Sequence, residues 1–191
     1  MINKGILFII SGPSGVGKTT IERHLKENLK LFVSISETTR LRRDNEENGV
    51  DYVFRTENEF NEGVSESRYL EWASVHGNLY GTPADPIEKR IKEGINCLLV
   101  IDVQGARQIK KRLPSSVMVF LSPPSIDELR KRLSNRTTEN PETITHRLDN
   151  AQNEIDFSLI YDYSVVNHNI EQAVDDVTKI IHNCRVRRSH D

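Results

Sequence analysis

The run Gly12-Pro-Ser-Gly-Val-Gly-Lys18-Thr19 reads G-x-x-x-x-G-K-[ST] in full, and those residue types at that spacing suit one task, the holding of nucleotide phosphates. Glycines let the backbone curl until successive N–H groups point at one phosphate, the lysine neutralises charge at the β and γ positions, and the threonine hydroxyl ligates Mg²⁺. The residues expected at a bound nucleoside triphosphate are therefore Gly12, Pro13, Ser14, Gly15, Val16, Gly17, Lys18, Thr19 and Thr20. A nucleophile elbow nearly fits the same residues, but Val16 stands where its last glycine belongs, and no histidine is placed by sequence to partner Ser14.

A second carboxylate-bearing run supports the first. Leu98-Leu-Val-Ile-Asp102 is an apolar stretch ending in an acid, the pattern in which a strand-end aspartate organises the metal and its waters. Such aspartates also cap helices, so the run gains weight only beside the phosphate loop. Asp102-Val-Gln-Gly105 also reads D-x-x-G as in signalling GTPases, yet the chain has no N-K-x-D or T-K-x-D to read a guanine in that fold.

The third candidate is a charge cluster. Arg40, Arg42 and Arg43 fall within four positions, ahead of a run of acids and amides and a turn at Asn48-Gly49. Most charge runs are solvated faces. Here the net charge of −2 supplies no global basic field for nucleic acid or an acidic membrane, so attraction for phosphates must be local.

These residues need elements to hold them. Ile6 to Ile10 is a continuous apolar run, suited to a strand buried on both faces. Ile21, Leu25 and Leu29 then recur every four residues, predicting a helix from Lys18 to Leu29. Cys97 to Ile101, Val117 to Leu121 and Tyr163 to Val166 are further buried strands, with a helix over Gln104 to Leu113 between the first two. Strands alternating with helices predict an α/β fold with a mostly parallel sheet. Ile170, Val174, Val177, Ile181 and Cys184 predict a final helix docked by one stripe, and Arg185 to Asp191 read as a frayed tail. Two regions break the alternation. Residues 36–82 mix short strands, Tyr52 to Arg55 and Tyr69 to Val75, with turns at Asn48-Gly49 and Gly77-Asn78, predicting an inserted α+β subdomain. Residues 125–158 are helical, charged and interrupted at Asn140-Pro141, a composition that suits a mobile flap better than a core element.

At 191 residues the chain fits one domain, with 1–35, 83–124 and 159–191 as its core. Cys97 and Cys184 have no ligand or redox spacing and read as thiols of an intracellular protein. No early apolar run is long enough for a signal or a span, so the chain is expected to be cytoplasmic, with no membrane partner.

Ser36-Glu-Thr-Thr-Arg40, Arg43, Asn48-Gly-Val-Asp-Tyr52-Val-Phe54, Glu71-Trp-Ala, Gly77-Asn-Leu-Tyr80-Gly-Thr82 and Ile101-Asp-Val-Gln-Gly105, in that order and spacing, resemble guanylate kinase over nearly the whole chain. The resemblance implies a P-loop kinase fold that transfers the γ-phosphoryl group of ATP to GMP, with Mg²⁺ held by Thr19 and Asp102, directly or through water. It makes 36–82 the GMP-binding insertion and 125–158 a lid. Arg40 and Arg43 match the pair that grips the acceptor's 5′-phosphate, Tyr52 and Tyr80 add phenols, and Glu71 matches the carboxylate that reads guanine. Ser36 and Thr82 complete base recognition, and Asp102 also stands near GMP. Arg132, Arg136 and Arg147 match lid arginines that join Lys18 and Arg40 in catalysis. Arg42 and the acids from Asp44 to Glu47, like Arg130 and Lys131, are left to solvent.

The chain departs from the family at several positions. Asp44-Asn45 replaces a Pro-Gly or similar pair, leaving the loop shape open. Val100 stands where an acid is common, Leu79 where tyrosine is, Thr137 where glycine is, and His168 where aspartate is. Three other readings stay open: a kinase for another small acceptor, a non-catalytic protein-binding module, which often has a damaged phosphate loop, and, least favoured, a GTPase.

Overall fold

The computed structural model describes residues 4–75, 77–134 and 141–188. Along the chain run β1 (Leu7–Ser11), α1 (Lys18–Asn28), β2 (Phe32–Val33), β3 (Glu37–Thr38), β4 (Val53–Phe54), α2 (Glu57–Ser65), β5 (Tyr69–Val75) and β6 (Asn78–Pro83). They are followed by α3 (Ala84–Lys92), β7 (Cys97–Val100), α4 (Val103–Arg112), β8 (Val117–Ser122), α5 (Ile126–Ser134), α6 (Pro141–Asp156), a 3-10 turn (Phe157–Ile160), β9 (Tyr163–Val166) and α7 (Ile170–Arg188). One sheet is five-stranded and parallel, in the order β2-β7-β1-β8-β9, with helices flanking it. A second has four strands in the order β4-β3-β6-β5, with β6 antiparallel to both its neighbours. The fold is therefore the mixed α/β one that alternating strands and helices predict.

Contacts divide the chain into two compact units. The first comprises Met1–Leu7, Phe32–Leu98 and Gln104–Ser116 and includes the four-stranded sheet. Its β5–β6 hairpin pairs Glu71 with Thr82 and Ala73 with Tyr80, after an irregularity between Tyr69 and Glu71. Phe60 of α2 stacks on Tyr69 with ring centroids 4.5 Å apart, and both are buried. Neither the apolar runs nor the turn signals of 36–82 predict the helix α2. Thr56 and Glu59 form a complete capping box at its start, which contributes on the order of 1 kcal/mol, and the Phe60 anchor does the rest.

The second unit comprises Phe8–Leu31, Leu99–Val103 and Val117–Asp191. Every residue of β1 is buried, and β8 lies beside it in parallel register, Phe8 opposite Val117 and Ser11 opposite Phe120. Ile21 and Leu25 of α1 and Ala173, Val177 and Ile181 of α7 are buried in the same unit. The helix α7 continues to Arg188, so Arg185 to Arg188 belong to the helix and not to the expected frayed tail.

The region 125–158 also carries more apolar packing than its charge suggested. Leu129 and Leu133 of α5 form a buried cluster with Leu148 and Ala151 of α6, and Ile126 packs against it. Steps of three and four put those few apolar residues on one stripe per helix, so a charged helix pair still closes on itself. The break at Asn140-Pro141 is matched by Pro141 at the first position of α6, where proline lacks only an N–H that has no helical partner.

Candidate active site

The phosphate-loop group lies in the second unit. Gly12, Gly15 and Gly17 have φ of 150°, 84° and 103°, the left-handed region that disfavours side chains. A Cβ at Gly12 would lie 2.1 Å from the Leu121 carbonyl oxygen, so the loop is pressed against the end of β8. Gly17 precedes α1, and no side chain caps the helix there. An uncapped helix start of this kind is the arrangement that suits an anion. Lys18 folds back, its Nζ donating to the carbonyls of Gly12 and, at 3.1 Å, Pro13. Thr19 is exposed in the first turn of α1, and Thr20 is half-buried beside it.

Asp102 follows β7, half-buried, and its carbonyl accepts from Ser11 Oγ at 3.5 Å. Glu154 of α6, absent from the sequence reading, belongs to the same group. Burial pushes its carboxyl up to about 7, with the Lys18 charge pulling the other way and the Asp102 charge adding to the rise. Only the packing of α6 brings it there, and no motif marks it.

Two of the expected lid arginines are described. Arg147 of α6 donates to Ser14 Oγ at 3.5 Å. Arg132 of α5 donates from Nε to Glu128 at 3.2 Å and from Nη2 to the carbonyls of Asn167, at 3.0 Å, and His168, at 3.4 Å. Its ion pair with Glu128 is thus one contact among three. Position 168 contributes a backbone oxygen, which any residue supplies. Asn167 is buried, and its Nδ2 donates to the Val16 carbonyl at 2.7 Å, bracing the loop. Arg130 and Lys131 are exposed, as expected. Arg136 and Thr137 lie outside the described residues.

The arginine–carboxylate group lies in the first unit. Glu71 is 6% exposed and accepts from Thr82 Oγ1 at 2.5 Å, because residues facing each other across a hairpin stand a few ångströms apart. Its other oxygen, Oε2, would lie 2.3 Å from a Cβ at Gly105, the third residue of α4. The glycine of the D-x-x-G run therefore admits a carboxylate to the first turn of a helix, where negative charge is favoured. Ser36 is half-buried beside β3, and its carbonyl accepts from Val53 N at 2.9 Å. Tyr52 and Tyr80 meet edge to face with centroids 6.0 Å apart.

Arg40 lies 5.6 Å above the Tyr52 ring and 5.8 Å above that of Phe54. Its Nη2 and Nη1 donate to the two oxygens of Glu46 at 2.7 and 3.1 Å, and Nη1 also donates to the Leu41 carbonyl at 2.8 Å. This corrects the assignment of Glu46 to solvent: its side chain is only 11% exposed. The Arg40 hydrogen bond, opposed by burial and assisted by the Arg43 backbone N–H, holds its carboxyl below the ordinary value. Arg43, 71% exposed, has its guanidinium 3.9 Å from Glu46. Arg42 is exposed but donates to the Glu46 carbonyl at 2.6 Å.

The departures from the family pattern acquire physical readings. Arg43 to Glu46 is a turn, closed by Glu46 N–H to the Arg43 carbonyl at 3.1 Å and by Arg43 N–H to Glu46 Oε2 at 2.9 Å. Asn45 has no positive φ, so Asp44-Asn45 completes the turn without glycine. Leu79 serves through its backbone, exchanging bonds with Thr39 and accepting from Thr38 Oγ1. Val100 is half-buried in β7, and nothing in the structure explains its replacement of an acid.

Among the described residues, no three His, Cys, Asp or Glu side chains group to hold a metal, and no helix is long and apolar enough to cross a membrane. The sequence model of the Guanylate kinase family matches residues 4–184. A guanylate kinase of Oceanobacillus iheyensis is 46% identical over 97% of this chain and 90% of its own length. One of Bacillus subtilis is 43% identical over 95% of this chain and 90% of its own. Among solved structures, guanylate kinase from Anaplasma phagocytophilum superposes with a TM-score of 0.80 at 35% identity, covering 95% of this chain and 86% of that one.

Proposed function

The chain belongs to the guanylate kinase family, and from that premise we propose that it transfers the γ-phosphoryl group of ATP to GMP, giving ADP and GDP. The observation that carries this reading is the undamaged loop from Gly12 to Thr19, with Lys18 in place upon it, in a chain of this family. A purely protein-binding relative has no use for a lysine there.

Gly12, Pro13, Ser14, Gly15, Val16, Gly17, Lys18, Thr19 and Thr20 bind the ATP phosphates in this proposal. Lys18 leaves the carbonyls of Gly12 and Pro13 for the γ-phosphoryl oxygens, where it stabilises charge that grows in the transition state. Arg132, Arg136 and Arg147 add positive charge at the donor, and Arg40 at the acceptor. Thr19 and Asp102 offer oxygen donors only, which suits Mg²⁺, and so small a protein set fits an ion that keeps waters and takes phosphate oxygens. When bound, the ion supplies charge neutralisation on the phosphates.

On the acceptor, Arg40 and Arg43 grip the 5′-phosphate with the phenols of Tyr52 and Tyr80 beside them. Glu71 accepts from guanine N1–H and the 2-amino group, with Ser36, Thr82 and Asp102 completing the set. Adenine has no 2-amino group and a lone pair at N1, so it leaves the Glu71 charge unpaired. No strong base is required, because the acceptor phosphate is already ionised at neutral pH. The segments 36–82 and 125–158 serve as acceptor-binding insertion and lid, whose closure limits wasted hydrolysis. A cytoplasmic setting is supported by the two isolated thiols, Cys97 and Cys184.

A coupled assay of ADP release with GMP, dGMP, AMP, UMP and CMP tests the reading. GMP is expected to be the strongly preferred ribonucleotide. Preference for AMP would overturn the role given to Glu71, and no ADP release with any acceptor would favour the binding-module reading.

A further inference from the structure

Arg40 has five N–H donors, and the structure accounts for three of them. Both Nη1 hydrogens are taken, by Leu41 O and Glu46 Oε2, and one Nη2 hydrogen by Glu46 Oε1. The Nε–H and the second Nη2–H remain, and these lie parallel along the neighbouring edge of the guanidinium. The Tyr80 phenol lies beside this guanidinium and helps to hold its charge, and Arg40 sits over the rings of Tyr52 and Phe54. Glu46 meanwhile accepts from the Arg43 backbone N–H, and its own N–H returns to the Arg43 carbonyl. One carboxylate thus fixes both the guanidinium of Arg40 and the turn that carries Arg43.

We infer that Glu46 is a positioning residue for the acceptor phosphate: it holds one edge of Arg40 so that the other edge, beside the Tyr80 phenol, is presented to the two oxygens of a phosphate monoester. The alternative arrangement, in which Glu46 occupies the phosphate's own place and must be displaced, predicts the opposite response to its removal. In the positioning arrangement the guanidinium serves a carboxylate and a phosphate at once, one on each edge, and retains its bidentate geometry for both. The Glu46 backbone carbonyl accepts from Arg42 as well. The inference rests on the acceptor-site reading above.

The test compares Glu46→Gln with the unaltered chain, titrating GMP and guanosine by calorimetry and measuring kcat and KM for GMP. Glutamine keeps the volume but loses the charge and one acceptor oxygen. Weakening of GMP by about tenfold is expected from the loss of a charge-assisted pair, with kcat within about twofold and guanosine affinity unchanged, since the effect needs the phosphate. Tighter or unaltered GMP binding overturns the inference, and so does equal weakening of GMP and guanosine, which marks a merely structural role. Arg40→Ala separates the two readings. If it weakens GMP and Glu46→Gln does not, only the role of Glu46 falls; if Arg40→Ala leaves GMP affinity intact, the acceptor site itself is misassigned.

Discussion

In the phosphate-loop unit Lys18 is held by neutral carbonyls, those of Gly12 and Pro13, whereas in the other unit Arg40 is held by a carboxylate, Glu46, through a fork of two hydrogen bonds. The buried acids differ in the same sense. Glu37 of β3 accepts from Arg55 at 3.1 Å on each oxygen and from the Tyr69 phenol at 2.7 Å. Burial alone would push its carboxyl up, but those hydrogen bonds and the charges of Arg55 and Arg68 outweigh it, and the net shift is downward. Burial wins at Glu154, whose carboxyl rises to about 7. The unit with Arg40 and Glu37 pairs these charges internally, which fixes the shape of the proposed acceptor site. In the other, the lysine donates to backbone carbonyls, and its charge also acts on the half-buried carboxyl of Glu154.

The sharpest way to break this comparison is Lys18→Ala. It is expected to lower kcat by about 10²–10³-fold, the scale for losing one transition-state stabiliser, while calorimetry finds GMP affinity unchanged; wild-type turnover would mean that the loop is not catalytic. Arg40→Ala should do the reverse, raising KM for GMP by about tenfold or more with a smaller change in kcat. Gly105→Ala probes the base site, since its Cβ would collide with Glu71 Oε2. KM for GMP should rise by about tenfold with little change in melting temperature, and an unchanged KM would separate Gly105 from base reading.

The smallest effects concern pH, and their signs oppose. A depressed carboxyl such as Glu37 contributes stability that is complete above the ordinary value of 4.5 and is lost as pH falls through its folded value. Glu37→Gln should therefore lower the melting temperature at pH 7 and by less in acid. For Glu154 the unfolded state ionises first as pH climbs from 4.5, so folding grows costlier until about pH 7 and then levels off. Glu154→Gln should accordingly raise the melting temperature at pH 8 and leave it unchanged near pH 4. Parallel pH profiles for the two variants would remove the contrast between the units.

Much of this was legible in the residues because the signal is local. The loop, the strand before it and the helix after it are contiguous, and β5 and β9 fall where alternation and apolar runs put them. The helix α2 was missed because its apolar anchor, Phe60, has its partner in Tyr69, across a turn. The stripe formed by Leu129, Leu133, Leu148 and Ala151 was underrated because it is divided between two helices.

The amino-acid sequence by itself marked Gly12 to Thr19 as the candidate phosphate loop, since a left-handed glycine and a helix start need only neighbours in the chain. It also named the arginines and Glu71 by resemblance. Which acid serves which cation was decided only by the tertiary structure. Glu46 among four neighbouring acids and amides, and Glu154 among the charges of α6, are set apart by burial and by the partner each meets. A carboxylate's energy depends on solvent and on charges a few ångströms away, and neither is written in linear order.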